Sequence, residues 1–280
     1  MYNETTKEGN ILSTVMRTHQ QDIERLKSLR YIDDDFMTIC LAENYEGVEL
    51  ILRIVLERED IIIKSVRTQE ALKNLQGRSA ILDVHAIDST DKEFDVEIQR
   101  SDAGAGAKRA RYNSSLLDAH ILKPGDDTEK IPDSYVIFIT ENDVMGKNQA
   151  IYHIQRYMET NEGMELFGDG SHIIYVNGKY RGNDEIGKLM HDFSCTNPDD
   201  MNYETLAKRA RYFKQDEKGV ATMCKIMEEM RNEAAKETTK DNARRLLKLG
   251  KIKVDEISEC FPDLSDSDVK ELEVEVMQLA

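Results

Sequence analysis

Leu82-Asp83-Val84-His85 and Phe94-Asp95-Val96-Glu97-Ile98-Gln99, joined by the turn-rich stretch Asp88 to Glu93, decide how this chain is read. Apolar and polar residues alternate in both runs, the two-residue period of a β-strand. Leu82, Val84 and Ala86 fall on one face of the first strand, Asp83 and His85 on the other. In the second, Phe94, Val96 and Ile98 oppose Asp95, Glu97 and Gln99. The short polar connection predicts adjacent antiparallel strands. Paired in that way, Asp83 and Glu97 approach on one face, and two close carboxylates are the minimum equipment for a hard divalent cation. A solvated sheet face is the competing reading, because ordinary antiparallel sheets show the same alternation.

Upstream, Ile61-Ile62-Ile63 and Val66 predict a strand, preceded by a helix over Val48 to Glu57 with apolar positions 48, 51, 52 and 55. Glu46-Gly47 is expected to separate that helix from an earlier one through Phe36, Ile39 and Cys40. Asp33-Asp34-Asp35 reads as the cap of the earlier helix rather than a metal cluster, since adjacent side chains on a helix diverge. The first thirty residues predict one amphipathic helix with Ile11, Leu12, Val15 and Met16.

Downstream, Ser101 to Gly106 reads as a linker into a helix from Ala107 to Leu122, ended by Pro124-Gly125. The unbroken apolar run Tyr135 to Thr140 suits a buried central strand. Tyr152 to Met158 and His172 to Val176 are predicted strands, and Asn177-Gly178 a tight turn. Strands interleaved with helices predict an α/β domain over residues 1–195. Beyond Pro198 the chain is rich in helix formers, with Gly250 as a C-cap and a short helix over Val254 to Cys260. Ser265 and Asp268 open a last helix, so residues 196–280 are expected to be a helical appendage.

The net charge of −16 over 280 residues excludes a protein that coats nucleic acid by bulk electrostatics, though not an enzyme meeting DNA through a confined basic strip. Cys40, Cys195, Cys224 and Cys260 are scattered without metal-like spacing, as reduced thiols in a cytosolic protein would be. Met1 to Asn10 has no apolar signal core, and no apolar run approaches membrane-spanning length. A soluble cytoplasmic protein is expected.

A sheet covered on both faces, as Tyr135 to Thr140 implies, has no place for idle acids. A strand aspartate, a turn and then Glu-x-Lys on the next strand is the motif of the PD-(D/E)xK nuclease superfamily. Asp83 and Glu97-Ile98-Gln99, with glutamine in the lysine position, resemble its transposase-like branch, the recombination-promoting nucleases. Gly77 to Val84, Phe94 to Arg100, Lys108 to Tyr112, Tyr135 to Asp143 and Ile151 to Ile154 carry the similarity, which runs from about Asp35 to Asp192. The resemblance implies a restriction-endonuclease-like mixed central sheet flanked by helices, with an all-helical C-terminal appendage. It also implies a DNA endonuclease in which Asp83 and Glu97, with the Ile98 carbonyl, hold Mg²⁺ or Mn²⁺ that polarises the scissile phosphate and acidifies a bound water. Asp83, Glu97 and Gln99 would be the catalytic set. Gln99 departs from the pattern: an amide orients water or a phosphate oxygen but is neither a base nor a cation.

The helix that follows is the expected source of the missing charge. Lys108, Tyr112 and Leu116 share a face, similar to the QxxxYxxxL helix of related nucleases, and Arg100 to Lys123 holds five basic and two acidic residues. Lys108, Arg109 and Arg111 are the expected phosphate contacts. The same hexapeptide, Ala-Lys-Arg-Ala-Arg-Tyr, recurs at 207–212 without acidic strands beside it, so a basic helix alone decides little. His85 and Tyr112 are expected either to support the site or to be structural. Glu43 and Glu49 are rival candidates for a further acidic ligand. In the last helix Asp266, Asp268, Glu271, Glu273 and Glu275 against Lys270 would repel phosphates, which favours packing or oligomerisation through the C-terminal helices. Loss of the lysine also leaves open a non-catalytic interaction module on the same fold.

Overall fold

The computed structural model describes residues 19–72, 79–100, 102–122 and 125–279. The expected N-terminal helix bearing Ile11, Leu12, Val15 and Met16 lies outside them, as do Gly77, Arg78, Ser101 and Pro124. The described residues divide into two compact units, those of 24–216 and those of 217–279 with 19–23.

In the larger unit, helices α1 (Asp34–Leu41) and α2 (Tyr45–Leu56) lead into strands β1 (Ile63–Leu72), β2 (Ala80–Asp88) and β3 (Glu93–Gln99). A 3₁₀ turn at Asp102–Ala105 feeds α3 (Ala107–Ile121), then β4 (Ser134–Thr140) and β5 (Ile151–Ile154). A hairpin of β6 (Tyr157–Thr160) and β7 (Gly163–Leu166) precedes β8 (Ser171–Asn177), α4 (Glu185–Ser194) and α5 (Glu204–Gln215). The sheet order is β1-β2-β3-β4-β8-β5, parallel across β3-β4-β8 and antiparallel elsewhere. It is the mixed sheet flanked by helices that the resemblance implied.

Every residue of β4 is buried, as its apolar run required. Helix α3 packs over β4 and β8, with Ala110, Leu116 and Leu117 against Val136, Phe138 and Tyr175. Parallel register puts Glu97 beside Phe138 and Phe138 beside Tyr175, whose rings stack at 5.3 Å. Glu97 therefore stands against an aromatic wall rather than in water.

Three local expectations are corrected. Gly47 does not separate two helices; it lies in the first turn of α2, where Asn44 takes its N–H at 3.0 Å as the N-cap. Asp33 stands at the N-cap position of α1 without capping it, because its carboxylate accepts the Arg30 N–H and pairs with guanidinium groups. The strand expected over Tyr152 to Met158 splits: Ile151–Ile154 pairs with β8, whereas Tyr157–Thr160 joins the hairpin, whose side chains are largely exposed.

The smaller unit is helical, comprising α6 (Glu217–Lys248), α7 (Ile257–Cys260) and α8 (Asp266–Leu279). Gly250 follows α6 at φ +62°, and the Ser265 N–H reaches Asp268 at 3.0 Å as the capping box predicted. Ala243, Ile257, Leu264, Val269 and Leu272 form its core. The acidic face of α8 is spent inside this unit: Lys236 and Lys240 pair with Asp268, Lys240 with Glu271, and Arg244 with Glu275. No described helix is long and apolar enough to cross a membrane.

Candidate active site

The β2–β3 ladder runs from Ile87↔Glu93 to Val84↔Val96. At the next position the Ile98 N–H is accepted by the Asp83 carboxylate, at 3.0 Å, which holds Asp83 beside the β3 acids. Asp95 and Glu97, two apart on one face of β3, are both fully buried, and Asp83 is 8 % exposed. Asp95 Oδ1 and Glu97 Oε1 have no hydrogen-bond partner among the described residues.

Three carboxyls in so dry a place resist ionisation. Burial pushes Asp83 up to about 7, with the charges of Glu97 and Asp34 adding to it. Burial and the charges of Glu97 and Asp83 hold Asp95 well above the carboxylate range. Glu97 is also raised by burial, against the opposing pull of Arg109. Such a row accumulates protons or else takes up a cation.

Arg109 is the cation the structure brings. Its Nη2 lies 2.7 Å from Glu97 Oε2, it donates to the Gly104 carbonyl at 3.3 Å, and it sits 6.0 Å above the Phe138 ring. One turn on, Asn113 Nδ2 approaches Asp95 Oδ2 at 3.5 Å. The face of α3 that meets the acids is thus Arg109 and Asn113, spaced i, i+4. Lys108 and Arg111 are exposed, with no ion-pair partner among the described residues. Tyr112 is half-buried against the core cluster that contains Leu116.

Gln99 donates its amide to the Ile98 carbonyl at 3.1 Å. Gly104 makes that pose possible, since a Cβ there would stand 1.4 Å from Gln99 Oε1. Gly104→Ala should therefore dislodge the Gln99 amide from the Ile98 carbonyl while costing under about 1 kcal/mol of stability, because the obstructing atom ends a flexible side chain. Thermal melting measures the cost. A much larger loss would mean the turn itself had collapsed.

His85 does not meet Asp83. Its ring lies between Glu70, 2.5 Å from Nδ1, and Glu93, 2.8 Å from Nε2. Burial would lower its pKa, but the two carboxylates outweigh that and the net shift is upward. Glu49 is engaged by the Ile63 N–H and by Arg53. Asp34, in the first turn of α1, is exposed and accepts from Thr38 at 3.4 Å; its charge adds to the upward shift of Asp83 without a contact between the two. Asp34, Asp95 and Asn113 were not singled out from the sequence. Alternation displayed Asp95, but only the covering helix shows that its face is dry.

Asp83, Asp95, Glu97 and His85 all bind protons more tightly folded than unfolded. Their contribution is fully present below the unfolded pKa values and lost as pH rises through the folded ones. Metal-free protein should melt at a lower temperature at pH 8 than at pH 5.5, and Asp83→Asn should flatten that slope. A melting temperature that climbs over this range in both proteins would contradict the assignment.

Among the described residues, no group of three His, Cys, Asp or Glu side chains forms a ready-made metal cage. Mg²⁺ does not require one; it keeps several waters and is commonly held by one or two carboxylates plus substrate phosphate. The orphaned Glu97 Oε1, the Asp83 carboxylate and the Ile98 carbonyl are hard oxygen donors of that kind. The residues present fit such an ion.

Comparison with known proteins gives one finding. A family model described as PD-(D/E)XK nuclease family transposase matches residues 48–188. No curated protein and no solved structure matches significantly.

Proposed function

The chain belongs to the PD-(D/E)XK nuclease family transposases, and on that premise we propose that it is a Mg²⁺- or Mn²⁺-dependent DNA endonuclease of the transposase or recombination-promoting type. The buried, mutually repelling acids Asp83 and Glu97, with an unpartnered oxygen between strand and helix, carry this reading. Asp83, Glu97 and the Ile98 carbonyl would hold the ion. A divalent cation there supplies Lewis acidity to the scissile phosphate and to the attacking water.

The chain's own residues do the rest. Gln99 orients the water or a phosphate oxygen by hydrogen bonding and moves no proton. Arg109 supplies the positive charge that glutamine cannot. Its side chain is 42 % exposed, so its remaining donors reach a phosphate oxygen while one stays on Glu97. Lys108 and Arg111, on the exposed side of α3, contact flanking backbone phosphates. Asp95 and Asn113 keep the acidic row positioned beneath the helix, and His85 with Glu70 and Glu93 braces the adjoining strands. The free cysteines suit the cytoplasm, and the exposed Leu249 and Val274 suit self-association through the C-terminal helices.

Conversion of supercoiled plasmid to nicked or linear forms in Mg²⁺ tests the proposal. Wild type should cleave, while Asp83→Ala and Glu97→Ala should not. Equal activity in all three removes the catalytic assignment. Absence of activity in all three favours the non-catalytic interaction module, the reading that Gln99 in the lysine position supports.

A further inference from the structure

Past the end of β3 lies a cleft of about 540 Å³ whose walls carry the cations Arg25, Arg30 and Arg100 and the acids Asp33, Asp34 and Asp35. Arg100 directly follows Gln99 at the end of β3. A strand crossing the acids toward α1 therefore enters this cleft.

Two of its guanidiniums are held in an ion-pair square. Arg30 reaches Asp33 at 3.1 Å and Glu141 at 3.0 Å; Arg100 reaches Asp33 at 3.0 Å and Glu141 at 3.2 Å. Arg100 is 57 % exposed in this arrangement, and ion pairs that wet contribute little to stability. What the square accomplishes is pre-ordering. It removes the rotamer freedom that two long side chains would otherwise lose on binding a ligand, and each guanidinium has more donors than the square uses. Arg25, on the same wall, is exposed and has no ion-pair partner among the described residues. The described lining includes no aromatic ring on which a base would stack.

We propose that the Arg25–Arg30–Arg100 cleft binds the backbone phosphates next to the scissile one on the same DNA strand, without reading base sequence. The assignment rests on the nuclease reading above for which strand occupies the cleft. Planar forks of this kind suit phosphate oxygens in two-point contact. Arg30 and Arg100 balance the Asp33 and Glu141 charges, while Asp34 and Asp35 remain on the wall with Arg25, so the cleft holds a strand by two-point contacts to single phosphates rather than by net positive charge.

The test is anisotropy of a labelled duplex oligonucleotide on the full chain across a salt series, with Ca²⁺ replacing Mg²⁺. Arg25→Gln and Arg100→Gln should each weaken binding about 3- to 10-fold at low salt and reduce the salt slope by about one, equally for two unrelated sequences. Arg100→Lys should restore the slope. Mn²⁺ affinity without DNA should stay at the wild-type value in all of them. If Arg100→Gln disturbs folding, Arg25→Gln, outside the square, decides between the outcomes. Wild-type affinity and slope in Arg25→Gln and Arg100→Gln, with Asp83-dependent cleavage intact, overturn the cleft while sparing the nuclease reading. Losses that depend on base sequence also overturn it. Flattened slopes without any Asp83-dependent cleavage uphold DNA binding in the cleft and sink the nuclease reading instead.

Discussion

Glu97→Gln should abolish metal-dependent cleavage, by roughly 10³-fold or more, while leaving the fold intact or more stable. In the proposed site Glu97 is one of two charged oxygen donors to a divalent ion, and removing it would forfeit several kcal/mol at the transition state. Stability moves the other way. Glu97 is fully buried, raised by burial, and repels Asp83 and Asp95. Glutamine keeps its shape and removes that repulsion. Arg109 loses an ionic partner but remains hydrated, which limits the penalty. Cleavage rates and melting temperatures measured together separate the two effects. A large fall in melting temperature matching the loss of activity would show that Glu97 serves structure rather than chemistry.

Arg109→Ala is expected to have the second-largest effect, a fall of about 10² to 10³ in cleavage, comparable to deleting a fixed donor to a developing oxyanion. Among the described residues its guanidinium is the one that meets the acidic row, 2.7 Å from Glu97. Arg109→Lys should recover part of the rate, since charge survives and the planar fork does not. Added guanidinium should partly rescue Arg109→Ala. The effect should fall on kcat, with KM changed little. Unchanged rates in Arg109→Ala would leave Lys108 or Arg111 as the source of charge.

The two copies of Ala-Lys-Arg-Ala-Arg-Tyr explain how much of this was legible in advance. At 107–112 the first arginine, Arg109, meets Glu97; at 207–212 its counterpart Arg209 instead caps the Cys40 and Ala42 carbonyls at 3.2 and 3.1 Å. The same hexapeptide in two different helices takes different roles because different surfaces lie beneath it, and a linear pattern carries no record of that. The central strand β4, the antiparallel β2–β3 pair and the helix after them were readable, because alternation, apolar runs and turn residues are local. The influence of Asp34 on Asp83 was hidden by a sound local rule. Consecutive aspartates at a helix start do suit the dipole, but where α1 meets the sheet is a tertiary matter. Asn44 concealed the start of α2 for a similar reason, since its cap admits Gly47 into the helix.

The most direct test of the central claim is Mn²⁺ binding followed by electron paramagnetic resonance, at pH 8, in wild type, Asp83→Asn and Glu97→Gln. The proposed site predicts saturable binding in wild type that is lost or weakened at least about tenfold in each variant. Equal Mn²⁺ binding in all three folded proteins would contradict a metal site at the end of β3.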